Sequence, residues 1–185
     1  MNILVTGAKG MVGTALVNNL KNIRDGKNKT RNIKVDEIYE FDLNNTEAEL
    51  DEYCSKADFV FNLAGVNRPE NQEDFMKGNF GFASQLLDTL KKHNNKAGIM
   101  LSSSVQATLA GRFGTSEYGK SKKAGEELFF EYGKETGAPV YVYRFVNLMG
   151  HSRPKYNSAI STFCWAVAND EEFTVNDRST ELEVL

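Results

Sequence analysis

Two side chains at helical spacing could carry proton transfer. Tyr118 and Lys122 are four residues apart, a separation that places both on one face of a helix. A free tyrosine phenol has a pKa of about 10, and a neighbouring cation favours the phenolate and lowers that pKa. The pair therefore predicts a general acid or base that works near neutral pH, although an amphipathic surface pair has the same spacing.

Three serines precede this pair and could bind the reacting oxygen. Ser102, Ser103 and Ser104 follow the apolar run at residues 98–101, which predicts a short buried strand. Ligands of an open parallel sheet bind at the carboxyl ends of its strands. We therefore expect these hydroxyls to face a cofactor crevice, with Ser104 donating a hydrogen bond to a substrate carbonyl. A turn or a helix cap is the alternative use of such serines.

A glycine-rich loop lies near the amino terminus. Its three glycines recur at intervals of three residues, between an apolar run at residues 3–5 and a predicted helix. Glycine permits the tight turn, and the amides at the start of the helix attract a pyrophosphate. Three glycines alone would also suit a plain turn, but this position predicts a dinucleotide site. Its contacts are predicted from Gly7, Lys9, Gly10, Met11, Val12 and Gly13.

Predicted strands and helices alternate along the chain. Such alternation indicates right-handed βαβ crossovers and a parallel sheet. We predict an α/β fold, a Rossmann-type doubly wound parallel sheet with helices on both faces. The predicted strands cover residues 3–5, 37–42, 58–63, 98–101 and 140–145, and the predicted helices cover residues 10–21, 46–55, 80–90 and 118–136.

Composition excludes several other classes of protein. The chain has 185 residues, a net charge of −3 and 41% hydrophobic residues, which fits one globular domain and no nucleic-acid surface. It has no apolar run of the roughly 20 residues that a membrane span needs and no signal peptide, so we expect a cytoplasmic protein. Cys54 and Cys164 are isolated, and neither a disulfide framework nor a metal site is predicted.

Together these motifs resemble the short-chain dehydrogenase/reductase superfamily, in its extended (NAD-dependent epimerase/dehydratase) branch. Six elements in the same order carry the resemblance: Thr6 to Gly13, Leu63-Ala64-Gly65, Asn79, Ser102 to Ser104, Tyr118 with Lys122, and Arg144 with Asn147 and Gly150. The resemblance implies NAD(P)(H) as the cofactor and Ser104, Tyr118 and Lys122 as the catalytic residues. Further cofactor contacts are implied from Leu63, Ala64, Gly65, Asn79, Ser102, Tyr118, Lys122 and Arg144.

Other segments resemble the N-terminal domain of the CapF family of capsular polysaccharide enzymes. These segments are residues 63–69, 102–108, 156–164 and 175–178. Members of that family reduce a keto group of a UDP-linked deoxysugar with NADPH, and carry a C-terminal cupin domain that epimerises the sugar. The resemblance implies a role in surface-polysaccharide precursor synthesis. It also implies substrate contacts from Asn147, Tyr156, Asn157 and Arg178, the last near the phosphates.

The chain departs from that family in two ways. It has no cupin segment, and it stops at Leu185, where the branch usually continues with another strand. We expect residues 1–185 to form an NAD(P)-binding Rossmann domain, with residues 151–185 as the start of an incomplete substrate-binding lobe. On this view the chain binds a dinucleotide without turning over a sugar nucleotide.

Three other functions remain open from the residues. A dehydratase would carry an acidic pair after the catalytic hydroxyl, whereas Val105 and Gln106 follow Ser104. A nucleotide-sugar 4-epimerase uses the same catalytic residues and is harder to exclude. A non-catalytic NAD(P)-binding module usually lacks the tyrosine and the lysine, which this chain keeps. We predict a nucleotide-sugar reductase, and a homodimer through the helices bearing Asn79 and Tyr118 is favoured.

Two residues bear on the choice between NAD and NADP. Asp42 ends the second predicted strand, where a carboxylate accepts hydrogen bonds from the ribose 2′-hydroxyl and repels a 2′-phosphate. Leu43 stands where the CapF resemblance would place an arginine for that phosphate. The two residues favour NAD(H), the resemblance favours NADPH, and an adenine contact is a further role for Asp42. The prediction is therefore NAD(P)(H).

Tyr118→Phe in the full-length enzyme tests the proton-transfer role. Phenylalanine keeps the aromatic ring but has no proton to give, and proton transfer by a positioned side chain contributes about 10²–10⁴-fold to a rate. We expect turnover to fall by a factor in that range, while cofactor affinity measured by calorimetry changes little. A variant with the wild-type kcat would remove Tyr118 from the mechanism.

Overall fold

The computed structural model describes all but a few positions of the chain. Those outside the description are residues 68, 70, 151–154, 156, 157, 176, 178, 180 and 182. The chain divides into two compact units, Met1–Arg144 and Phe145–Leu185. The first unit contains the glycine loop and the predicted catalytic residues.

Five strands form one sheet. They are β1 (Ile3–Thr6), β2 (Ile38–Phe41), β3 (Phe59–Asn62), β4 (Gly98–Ser104) and β5 (Val140–Phe145). The strand order is β2-β1-β3-β4-β5. β1 pairs in parallel with β2 and β3, and β3 pairs in parallel with β4. The carboxyl ends of these four strands therefore meet at one edge of the sheet, where the phosphate loop and the serines were predicted.

Helices connect the strands of the first unit. They are α1 (Met11–Arg24), α2 (Glu47–Lys56), α3 (Glu73–Phe75), a π-helical segment (Met76–Gly81), α4 (Phe82–Lys92) and α5 (Glu117–Thr136), with 3₁₀ turns at Val105–Thr108 and Gly111–Phe113. No helix in the described part of the chain is long and apolar enough to cross a membrane.

Two apolar clusters hold the helices against the sheet. On one face, α2, α4 and α5 enclose a cluster that includes Phe129 of α5 and Ile99 of β4. On the other face, α1 packs Val17 against Val5 of β1. Side chains alternate between the two faces along a strand, so the apolar residues of the buried strands require cover on both faces. This arrangement confirms the predicted fold, a Rossmann-type doubly wound parallel sheet with helices on both faces.

The structure differs from the sequence prediction at two elements near the site. β4 does not end at Leu101 but continues through Ser104, because the buried Ser103 hydroxyl finds an acceptor on α5. The helix predicted from residue 80 is preceded by the π-helical segment, which the 3.6-residue apolar pattern did not indicate. In that segment Gly78 passes so close to Val66 that a Cβ would lie 2.3 Å from the valine Cγ2.

The second unit contains helix α6 (Ala159–Ala168). Ahead of the helix, Lys155 Nζ lies 4.2 Å from the centroid of the Trp165 ring. Asn147 and Val184 form an isolated parallel bridge. The assignment of residues 151–185 to a substrate-binding lobe stays a prediction.

Two adjacent phenylalanines on α5 provide a test of the core. Phe129 is fully buried, whereas Phe130 is 48% exposed. Phe129→Ala should lower the free energy of unfolding by about 3–5 kcal/mol, because it leaves a cavity between α5 and the sheet. Phe130→Ala should lower it by about 1 kcal/mol or less. Equal losses in urea unfolding would contradict this placement of the core.

Candidate functional site

The glycine loop joins β1 to α1 in a conformation that side chains would prevent. Gly7 has a φ of +67°, and a Cβ there would lie 2.7 Å from the amide nitrogen of Ala64. A Cβ on Gly13 would lie 2.1 Å from the Gly7 carbonyl oxygen. The loop, the first turn of α1 and the end of β3 therefore pack backbone against backbone. The tight turn was predicted from the glycines, whereas the contact with β3 was not.

The start of α1 offers free donors beside this loop. Its first helical hydrogen bond runs from the Thr14 amide to the Gly10 carbonyl, at 2.9 Å. The amides of Met11, Val12 and Gly13 precede that bond, so the helix offers them no acceptor. Donors at a helix start and a loop without side chains suit a pyrophosphate. These residues fit the dinucleotide that the sequence predicted.

Asp42 holds the loop from the end of β2. Its Oδ2 accepts the Lys9 amide at 2.7 Å, and its Oδ1 accepts the Leu43 amide at 2.8 Å. Leu43 is 98% exposed and offers no charge to a 2′-phosphate. Asp42 therefore shapes the phosphate loop, and its predicted contact with the ribose or the adenine remains a prediction.

Lys122 and Tyr118 lie side by side on α5, as the spacing predicted. Lys122 is 6% exposed, and its Nζ donates to the Ser102 carbonyl oxygen at 3.0 Å. The same Nζ lies 5.7 Å from the centroid of the Tyr118 ring. Burial lowers the pKa of Lys122 to about 8, so the ammonium form prevails below that pH.

The predicted lowering of the Tyr118 pKa is not what the structure shows. Burial raises the pKa of this phenol above its usual value, and a hydrogen bond with the Ser104 hydroxyl opposes the rise without reversing it. Desolvation disfavours the charged form of an acid, and here it outweighs the hydrogen bond with Ser104. Tyr118 is therefore held as a neutral phenol, a proton donor, next to Ser104.

The three serines do not all face the crevice, so that expectation was wrong for Ser103. Successive side chains of a strand point to opposite faces. The Ser103 hydroxyl donates to Glu126 of α5 at 2.5 Å. Ser104 interacts with Tyr118 and also caps the 3₁₀ turn, where its hydroxyl accepts the Gln106 amide at 3.2 Å. Ser104 therefore has the capping use and also lies beside Tyr118, and its catalytic role stays a prediction.

Arg144, predicted to contact the cofactor, forms an ion pair with a buried carboxylate, while its own side chain is 45% exposed. Its Nε and Nη2 donate to the two carboxylate oxygens of Glu126 at 2.9 and 2.6 Å. Glu126 is 3% exposed. Burial acts to raise the pKa of Glu126, but hydrogen bonds from Arg144 and Ser103 outweigh it and lower that pKa. The guanidinium thus ties β5 to α5, and its cofactor role remains a prediction.

Gly65 leaves room for two polar groups of the site. A Cβ at Gly65 would lie 2.8 Å from Asn79 Oδ1 and 3.0 Å from Lys122 Nζ. Asn79 itself holds the chain after β3, because its Oδ1 accepts the Val66 amide at 2.8 Å. The strand end at Gly65 therefore adjoins Lys122, and the predicted cofactor contacts of its residues stay predictions.

Close contact between α5 and the 3₁₀ turn was not predicted. A Cβ on Gly119 would lie 2.4 Å from the Gln106 carbonyl oxygen. The Ser116 hydroxyl, which caps α5 by accepting the Gly119 amide, donates to the Gln106 side chain at 2.8 Å. Gly119 between Tyr118 and Lys122 was the available signal, since glycine inside a helix indicates a close approach.

The predicted substrate residues are described only in part. Tyr156, Asn157 and Arg178 lie outside the described residues. In the second unit, the Asn147 side chain donates to the Glu183 carbonyl at 3.0 Å. That contact leaves its carbonyl oxygen to act as an acceptor, and its substrate role stays a prediction.

Residues 3–182 match the NAD dependent epimerase/dehydratase family, and the chain belongs to this family. The sequence is 36% identical, over 186 residues, to a UDP-2-acetamido-2,6-beta-L-arabino-hexul-4-ose reductase of Pseudomonas aeruginosa. The match covers 100% of this chain and 46% of that protein.

Solved structures extend the comparison. The capsular polysaccharide assembling protein CapF from Staphylococcus aureus is 43% identical with a TM-score of 0.79, over 100% of this chain and 46% of that one. A UDP-glucuronic acid 4-epimerase from Bacillus cereus, solved with NAD, is 19% identical with a TM-score of 0.70, over 95% of this chain and 66% of that one. The epimerase shares the fold. The chain spans about half the length of the reductase and of CapF, 46% of each.

Gly65→Ala tests the packing of the site. The new methyl group meets Asn79 Oδ1 at 2.8 Å, so we expect Asn79 to be displaced. Overpacking of this kind lowers the free energy of unfolding by about 1–3 kcal/mol, and turnover should fall with it. Gly81→Ala is the control, because a Cβ there meets nothing within 4 Å. If both variants unfold and turn over alike, the close approach at Gly65 is wrong.

Proposed function

We propose that the protein reduces the 4-keto group of a UDP-linked 2-acetamido-2,6-dideoxy sugar with NAD(P)H, in the synthesis of a surface-polysaccharide precursor. The observation that carries this proposal is the position of Tyr118, a half-buried neutral phenol between Ser104 and Lys122. The sugar nucleotide and the keto position come from the name of the Pseudomonas relative, which is 36% identical along the whole chain. The polysaccharide setting comes from CapF, at 43% identity.

Each catalytic residue has a distinct part in the reaction. Bound NAD(P)H supplies the hydride that reduces the keto carbon. Tyr118 gives its phenolic proton to the keto oxygen, so that C=O becomes CH–OH, and the raised pKa of the phenol keeps that proton in place until it is needed. Ser104 holds the same oxygen by a hydrogen bond. Lys122, charged below about pH 8, stabilises the phenolate that remains.

The site favours a reductase over the alternatives that share its fold. A neutral Tyr118 is the form needed to protonate a keto oxygen, whereas oxidation of an alcohol requires the phenolate. The epimerase among the solved structures is 19% identical, which supports the common fold alone. A module that only binds a dinucleotide would have no use for a lysine held in a nearly dry position beside a phenol.

Different parts of the chain would hold the cofactor and the substrate. The amides of Met11, Val12 and Gly13 would hold the pyrophosphate, with Asp42 at the adenosine end. NAD(P) is the cofactor we propose. Of the two forms, NAD(H) is favoured, because Asp42 is acidic and Leu43 carries no charge that could bind a 2′-phosphate. Residues 151–185 would contribute to the substrate lobe, and a cytoplasmic homodimer remains the expected state.

The test uses a deuterated cofactor and two neighbouring lysines. The protein that carries this chain is mixed with the 4-keto UDP-sugar and either NADH or NADPH deuterated at the nicotinamide C4. We expect stoichiometric consumption of the preferred cofactor, with deuterium at the new carbinol carbon. Lys122→Met should reduce the rate by about 10²-fold or more, whereas Lys123→Met changes an exposed lysine and should keep the wild-type rate.

The other functions give different results in the same experiment. An epimerase would convert its sugar without net loss of NAD(P)H. A binding module would take up the dinucleotide in calorimetry and transfer no deuterium to any sugar. Either result would replace the reductase proposal.

A further inference from the structure

A buried serine joins the two catalytic residues to the opposite wall of the site. Ser121 lies between Tyr118 and Lys122 and is fully buried. Its hydroxyl donates to the Tyr118 carbonyl oxygen at 2.8 Å and accepts a hydrogen bond from Asn79 Nδ2 at 3.0 Å. The hydroxyl therefore donates within its own helix and accepts from a side chain of another element.

Asn79 also forms hydrogen bonds with the backbone after β3. Its Oδ1 accepts the Val66 amide at 2.8 Å, and its Nδ2 donates to the Val66 carbonyl at 3.1 Å. Asn79 is 8% exposed and lies in the π-helical segment, an irregularity that often occurs at functional sites. Hydrogen bonds therefore run without a break from Val66 through Asn79 and Ser121 to the backbone of Tyr118.

The Val66 backbone and Ser121 together select the orientation of the Asn79 carboxamide. Because the Ser121 proton is committed to the Tyr118 carbonyl, the oxygen can only accept from Asn79. A flipped carboxamide would turn its oxygen towards two acceptors, the Val66 carbonyl and Ser121, and would leave buried groups unpaired. The observed orientation places Asn79 Oδ1 in the same narrow space as Lys122 Nζ, at 2.8 and 3.0 Å from the position of a Gly65 Cβ.

We propose that Ser121 is a positioning residue, whose hydroxyl holds Asn79 against Val66 and thereby fixes the wall of the site that adjoins Lys122. The effect of Ser121 on catalysis rests on the proposed function, whereas its effect on the position of Asn79 does not. Ser121 touches neither the sugar nor the hydride, and acts on catalysis only through Asn79 and the Val66 backbone.

Amide exchange at Val66 tests this chain of contacts without any substrate. In Ser121→Ala, Asn79 loses its second acceptor, and exchange of the Val66 amide measured by NMR should become about tenfold faster, the effect of one lost buried hydrogen bond. The control is Thr136→Ala on the same helix. Thr136 also donates to a preceding helical carbonyl, at 2.7 Å, and accepts one amide, at 3.2 Å, and its loss should leave Val66 exchange unchanged.

A kinetic cycle in the active protein tests the catalytic consequence. Ser121→Ala should lower kcat about tenfold with little change in KM for NAD(P)H, while Thr136→Ala changes neither. Asn79→Ala should also speed Val66 exchange, and adding Ser121→Ala to it should have no further effect on kcat, since the serine acts through Asn79. Additive losses of kcat would overturn the proposal, as would wild-type Val66 exchange in Ser121→Ala.

If the wild-type protein transfers no deuterium to the sugar, the proposed function fails, and Val66 exchange still decides the role of Ser121.

Discussion

The site depends on the contact between α5 and the end of β4, where charged groups are withdrawn from water. Lys122 of α5 bonds the carbonyl of Ser102, and Glu126, one turn later, bonds Ser103 and Arg144. A buried charge without its partner is destabilising by several kcal/mol, so other alignments of the helix and the strand are disfavoured. Tyr118 reaches Ser104 because the rest of the helix is held in this register.

Burial of the α5 side chains determines their pKa values as well as the alignment of the helix with β4. It raises the pKa of the Tyr118 phenol and lowers the pKa of Lys122 to about 8, because desolvation disfavours the charged form of each group. The result is an acid that keeps its proton and a base near the point of titration. Such a pair is suited to protonating an oxygen that gains negative charge during reduction, which connects the packing of α5 to the reaction that we propose.

The glycine loop and its surroundings depend on glycines at positions where a side chain would collide. Gly7 and Gly13 bring the loop, α1 and the end of β3 to distances at which a Cβ would collide, and Gly65 does the same beside Lys122. Backbone amides, held in part by the Asp42 carboxylate, then form the polar surface of the loop.

The sequence by itself determined the order of strands and helices, the glycine loop and the shared helix face of Tyr118 and Lys122. These follow from short-range rules: apolar periodicity, backbone freedom at glycine and four-residue helical spacing. Only the tertiary structure decided that Ser103 turns to Glu126, 23 residues away, and that Ser121 meets Asn79, 42 residues away. It also decided the direction of the Tyr118 pKa shift. The physical reason is that hydrogen-bond partners and desolvation depend on what packs across the sheet and between helices, and no local pattern records which distant groups those will be.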